Sequence, residues 1–248
     1  MFPLNSSRQM AAARALAAIS FILLTAAVAR AQSLSVVPVN VFLSPGQKST
    51  SLTVTNQGSS ETAIQIRAYA WNQKDGDDQL TASDEVMISP PLTKIASGAT
   101  QVVRIILRQS PQVRESTYRI LIDQIPPPAE LGVVHMVLRL SVPVFASPAI
   151  RAFPDVQFHL ERADGQIYLV GFNAGILHEK IRDIVLSTSD GHKLKEDSKG
   201  SPYVLCGATH RWHIVVPDSL PLTSDTLQLT AQSDAGAINE QVRFNAAR

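Results

Sequence analysis

Residues 133–145 read VVHMVLRLSVPVF and are entered through the prolines at 126–128. On a β-strand alternate side chains share a face. Val134, Met136, Leu138, Leu140, Val142 and Val144 therefore form an almost unbroken apolar row. The opposite face is mixed: Val133, His135, Val137, Arg139, Ser141 and Pro143. A row of this length predicts a core strand, or a strand that lends side chains to something missing a strand of its own.

The same two-residue rhythm runs outward in both directions. Upstream, residues 36–43 are extended, SLTVTN (51–56) alternates strictly, and AIQIRAYAW (63–71) alternates again. Turn signals separate them: SPGQ at 44–47, QGSS at 57–60 and a Gly/Asp loop at 74–78. Residues 86–89, 101–108, 118–125 and 133–145 complete about seven strands, with Pro90-Pro91 excluding a central strand between them. Residues 147–154 (SPAIRAFP) read as a short stiff linker. Beyond it, strands are expected at 156–161, 166–173, 180–187, 192–195, 212–216, 226–232 and 241–244. No helix-length amphipathic stretch and no solenoid-period repeat interrupts this pattern. Short strands punctuated by turns predict an all-β chain of two β-sandwiches, not a βαβ fold.

Residues 1–31 stand apart. Arg8 and Arg14 precede an apolar run at 17–28, broken only by Ser20 and Thr25, and Ala29-Arg30-Ala31 offers a small-x-small cleavage site. This is the pattern of a secretory signal peptide, too short to span a bilayer, and places the mature start near Gln32. About 217 residues follow, enough for two domains of roughly 100 each. A net charge of +1 with 17% charged residues argues against a nucleic-acid surface. Cys206 is the single cysteine, so no disulfide forms within the chain, and it is read as a small buried side chain.

Catalytic signatures are absent from the pattern: no GxSxG elbow, phosphate loop, HExxH or paired-cysteine box. His210 and His213 stand three apart on an expected strand, hence on opposite faces, which argues against a shared metal. His178 beside Glu179 reads as a loop histidine with a backbone partner. No metal, cofactor or enzymatic activity is expected.

In order along the chain, SLTVTN, QIRAYAWNQ, ISPPLTKIASGATQVVRI, RESTYRILIDQIPP and LRLSVPVFASP resemble the first domain of PapD-like periplasmic pilus chaperones. The resemblance is to the archaic branch serving spore-coat-U-type pili. Asn173-Ala174-Gly175 with His178, and Tyr203-Val204-Leu205 with Gly207 and Trp212, are similar to that branch's second domain. The resemblance implies two immunoglobulin-like domains set at an angle with a cleft between them: residues 32–147, with donor strand 133–145, and residues 148–248. It implies periplasmic pilin subunits lacking a strand as clients, and an outer-membrane usher as second partner. Donor-strand complementation is one known way for an open sheet edge to recognise an extended segment. The implied donor residues are Val134, Met136, Leu138 and Leu140. No nucleotide is required, because exchange to the next subunit's strand is driven by better packing. An exposed apolar edge is also suited to a self-capping homodimer in the client-free state.

The resemblance fails at one point. Classical members hold the client's C-terminal carboxylate with an arginine on the first strand and a lysine near the end of the donor strand. Asn40 and Pro143 stand at those positions here. A guanidinium suits a carboxylate through bidentate bonding, and the resemblance implies Arg119 as the first anchor candidate, since it matches an arginine typical of the archaic branch; Arg104 and Arg139 are in reserve. Asp123 and Glu115 are alternative, structural partners of these arginines. Trp71 and Trp212 are expected in cores, Trp212 with a role at the interdomain surface. Asn173 and Gly175 are expected as turn formers. The alternative to a chaperone is an exported β-sandwich adhesion or carbohydrate-binding module. Exposed aromatic platforms would mark it, and aromatics are only 6% of residues.

Overall fold

The structure is a computed structural model that describes residues 34–128, 132, 136–197, 200–217, 220 and 224–245. The expected leader, 1–31, and Val134 of the donor row lie outside them. The first half contains β1 (Leu34–Val37), β2 (Val41–Leu43), β3 (Ser49–Asn56), β4 (Thr62–Lys74), β5 (Asp77–Ala82), β6 (Val86–Ser89), β7 (Leu92–Ile95), β8 (Thr100–Leu107), β9 (Ser116–Ile125) and β10 (Arg139–Ala146). The second contains β11 (Val156–Ala163), β12 (Gln166–Asn173), β13 (Glu179–Ser187), β14 (Lys193–Glu196), β15 (Tyr203–Val204), β16 (Thr209–Val215), β17 (Thr226–Ser233) and β18 (Gly236–Arg243). Among the described residues there is no helix, and so none that could cross a membrane.

Two sheets face each other in the first half, one ordered β1-β3-β8-β6 and the other β2-β10-β9-β4-β5, with β7 also on β4. Prolines mark two of the points where the chain changes layers. Residues 36–43, expected as one extended stretch, split at Pro38, which has no N–H for a ladder. β1 joins the first sheet against β3, and β2 the second against β10. Likewise β6 pairs with β8, and beyond Pro90-Pro91 β7 crosses to β4. The β4–β5 hairpin turns through Asp75 and Gly76, both at positive φ, as a tight two-residue turn requires. The core between the layers is the alternating inward set: Leu52 and Val54 on β3, Ile64 and Ile66 on β4, Val103 and Ile105 on β8, Ile120 and Ile122 on β9, Val142 and Val144 on β10. Each such side chain stabilises the fold by about 1.5–3 kcal/mol relative to exposure.

The second half is one sheet, β11-β12-β16-β14-β13-β17-β18 with β15 on β13, curled upon itself. A bridge between Leu160 and Phe244, and the Asn245 N–H on Leu160 O at 2.9 Å, join its two ends. Inward residues from all eight of these strands consequently share one core, from Leu160 through Leu169, Ile181, Leu186 and Trp212 to Leu229 and Val242. His210 faces inward and His213 outward on β16.

The linker is bracketed by Asn173 and Gly175. Asn173 is fully buried; its carbonyl accepts the N–H groups of Asp155 and Gly175, and its amide donates to Leu177 O and Val204 O. A Cβ on Gly175 would stand 2.5 Å from Phe153 O and from Asp155 N. These residues do more than turn the chain: they fasten the linker to the second domain.

Candidate functional site

β10 pairs along its whole length with β9, but with β2 only at Val144, Phe145 and Ala146. The other edge of Arg139–Pro143 is therefore open among the described residues. The Gln124 N–H donates to Leu138 O, which fixes the phase of the antiparallel ladder. Alternate residues point their backbone groups to opposite sides, so the amides of Arg139 and Ser141 face the open edge and Pro143 presents only a carbonyl. The apolar row emerges from the core along this strand. Val144 and Val142 are 0% and 1% exposed, Leu140 and Leu138 are half-buried against the same core, and Met136 is 84% exposed. Val137 beside it is 51% exposed.

The odd-numbered face of β10 lies on the outside of the second sheet, beside the odd-numbered residues of β9 and β4. At the outer end Asp123 pairs with both Arg139 and Arg67, the latter at 2.6 Å. Burial raises the Asp123 carboxyl, but hydrogen bonds from Arg139 and Arg67 outweigh it and hold it below the usual carboxylate range. Arg139 thus already carries a carboxylate partner. Arg104 points outward from the first sheet, whose outer side is turned away from this face.

Arg119 is placed differently. Its register partner on β10 is Pro143, so the neighbouring strand brings a guanidinium alongside that proline. The guanidinium lies over the Trp71 ring at 3.7 Å, and Tyr203 of the second domain is 5.9 Å away. It opens into a cleft of about 390 Å³ lined by Asp78, Leu80, Ser141, Ser201 and Tyr203, contributed by both domains. Burial lowers its pKa, and Asp78 opposes that shift.

Behind the cleft, aromatic rings join the domains. Phe145 is fully buried and stacks on His178 at 3.5 Å between centroids and 9° between planes, with Tyr203 at 5.2 Å and Trp71 at 5.8 Å. Trp71 rather than Trp212 sits at the junction, because β4 turns its odd-numbered residues outward; Trp212 belongs to the second core. Gln73 donates to Tyr203 O at 2.7 Å and accepts the Leu205 N–H at 2.9 Å, and the Tyr203 hydroxyl donates to Asn40 at 3.2 Å. Among the described residues Glu115 pairs with His178 and with no arginine. Its carboxylate accepts both the backbone N–H and Nδ1–H of His178, each at 2.8 Å. Cys206 is half-buried and lines a second cleft between the two halves rather than sitting in a core.

Neither Gln73, Asp78 nor the Glu115–His178 pair was singled out as part of this junction from sequence. Each acts across more than thirty positions or a domain boundary, where linear spacing carries no signal; only the alternation that turns Trp71 and Gln73 to one face could have hinted at them.

Residues 33–151 match the family model described as pili and flagellar-assembly chaperone, PapD N-terminal domain. No curated protein matches the chain significantly. Among solved structures the chain is similar to the CsuC–CsuE chaperone–tip adhesion subunit pre-assembly complex from archaic chaperone-usher Csu pili of Acinetobacter baumannii. The identity is 20% and the TM-score 0.63, over 87% of this chain and 100% of that one. It is similar to the E. coli chaperone DraB at 19% identity and TM-score 0.55, over 87% and 97% of the two chains. A third likeness is to the Salmonella enterica SafA pilin in complex with the SafB chaperone, at 15% and 0.58, over 88% and 99%. At these identities the structural likeness is one of fold.

Proposed function

Residues 33–151 belong to the PapD N-terminal domain family of pilus-assembly chaperones, and from that premise we propose how this chain's own residues do the work of such a chaperone. It binds and stabilises pilin subunits by lending them the strand that they lack, with Val134, Met136, Leu138 and Leu140 as the donor row. A client strand pairs with the open edge of Arg139–Pro143, and its C-terminal carboxylate is held at Arg119. Arg139 and Arg104 rank below Arg119, one being engaged by Asp123 and the other lying on the far sheet. The subunit then passes to an outer-membrane usher. The role needs no enzymatic step. Members of the family are periplasmic; residues 1–31 are taken as a cleaved export signal, 32–147 as the donor domain and 148–248 as the second domain. A client-free dimer capped edge to edge belongs to the same proposal.

The observation that carries this reading is the emergence of one apolar row from full burial at Val144 to 84% exposure at Met136, beside an unpaired edge. Burying Met136 in a client would contribute about 1.5–3 kcal/mol, or roughly tenfold to a hundredfold in affinity. The test is co-expression of the tagged protein with the pilin subunit encoded beside its gene, with Met136→Asp in parallel. Leu138 is a poorer choice, since it packs on the core and its N–H meets Gln124. Stoichiometric retention by the wild type, lost in Met136→Asp, is expected. A folded bait that never retains a pilin would point to the passive adhesion or carbohydrate-binding module. Equal retention by both forms would remove the donor row.

A further inference from the structure

The guanidinium of Arg119 is not free in this structure. Nη2 stands 3.5 Å from Asp78 Oδ2, longer than the roughly 2.7–2.9 Å of a good charge-assisted bond. The other Asp78 oxygen accepts from Gln73 Nε2 at 2.9 Å, so the carboxylate is positioned by Gln73 and only leans on the arginine. Asp78 belongs to β5, an edge strand exposed throughout its length, and its side chain keeps 30% of its surface. It has room to leave. Arg119, by contrast, is held: its side chain is 14% exposed and its plane lies on Trp71. The buried Ser201 hydroxyl has no hydrogen-bond partner among the described residues, and Ser201 lines the same cleft.

We propose that Asp78 is a resident counter-anion that occupies Arg119 in the client-free protein and is displaced by the client's C-terminal carboxylate. The proposal rests on Arg119 being the carboxylate anchor. Two carboxylates cannot share one guanidinium without mutual repulsion. A client end that forms a bidentate pair therefore replaces a single long contact with two short ones. Segments that enter the cleft without a free carboxylate would leave Asp78 in place and gain nothing from Arg119. Asp78 thereby selects for chain ends over internal stretches of other exported, unfolded chains. It also keeps a desolvated guanidinium paired while the cleft is empty.

The experiment is a competition between differently tagged wild-type and Asp78→Asn proteins for a limiting amount of the pilin subunit encoded beside the gene. Asparagine retains an oxygen for Gln73 but removes the competing charge. The variant is expected to take roughly two- to fivefold more subunit, the scale of a partly exposed ion pair. The same substitution in an Arg119→Ala background is expected to give no preference. Asp78→Ser, which cannot reproduce the Gln73 contact, must show the same gain; a gain confined to asparagine would overturn the proposal. So would a ratio at or below one while Arg119→Ala still binds poorly. If Arg119→Ala binds as well as wild type, the anchor itself has failed, which is a separate result.

Discussion

Truncating Phe145 to alanine should loosen the two domains from each other. The ring is fully buried at a strand end that belongs to the first domain, yet its closest neighbours include His178 and Tyr203 of the second. Removing a buried phenylalanine costs about 3–5 kcal/mol. The lower half of that range applies here, because Phe42, stacked at 5.5 Å and 58% exposed, gives water a route into the space. At about 2–4 °C per kcal/mol for a chain of this size, a loss near 3 kcal/mol lowers Tm by roughly 6–12 °C. The remaining ties are polar, from Gln73 to Tyr203 and Leu205 and from Glu115 to His178. Without the ring they are exposed to water, so the calorimetric transition should also broaden or split. Differential scanning calorimetry would measure both effects, with Phe172→Ala, 40% exposed on β12, as a control of small effect. A Tm within about 2 °C of wild type and an unchanged peak shape would refute the aromatic junction as the coupling element.

Three further outcomes are expected. Asp123 has a depressed folded pKa, so its stabilising contribution is present above the ordinary carboxylate value and lost as pH falls through the folded one. Urea midpoints of wild type and Asp123→Asn should differ at pH 7 and converge on acidification; a constant gap would contradict the pairing with Arg139 and Arg67. Burial pushes His210 below its ordinary range despite the pull of Asp78 and Asp77. The folded state therefore favours the neutral ring, and stability should fall as pH drops from about 6.5 toward the lower folded value. His210→Phe should flatten that slope, and an identical slope would show that another group sets it. Gly175→Ala forces a Cβ onto the linker backbone and should cost about 1–3 kcal/mol; thermal unfolding at the wild-type temperature would show that the linker yields freely.

Local rhythm made the architecture legible. Alternation in SLTVTN and AIQIRAYAW identified β3 and β4, and the alternation through Val142 and Val144 identified the inward face of β10. Changes of layer were harder. Residues 36–43 read as one strand because nothing in the local pattern says that Pro38 divides two sheets, and β7 is too short for a rhythm to show. The junction was least legible, because its members meet only after both domains have folded. Trp71 looked like a core residue and Glu115 like an arginine's partner, when the first faces the other domain and the second accepts from His178. Arg119 was nominated by resemblance, but its setting depends on Trp71, Asp78 and Tyr203, which arrive from distant segments.

In the proposed complex a client strand docks on the open edge of β10, and amide hydrogen exchange reads that edge residue by residue. In the free protein the Arg139 and Ser141 amides face that edge, whereas the β9 side is already paired. Addition of the pilin subunit should slow exchange at these two amides by at least tenfold, with little change along β9. Unaltered exchange at both positions in a stable complex would contradict strand addition at this edge, wherever else the subunit were found to bind.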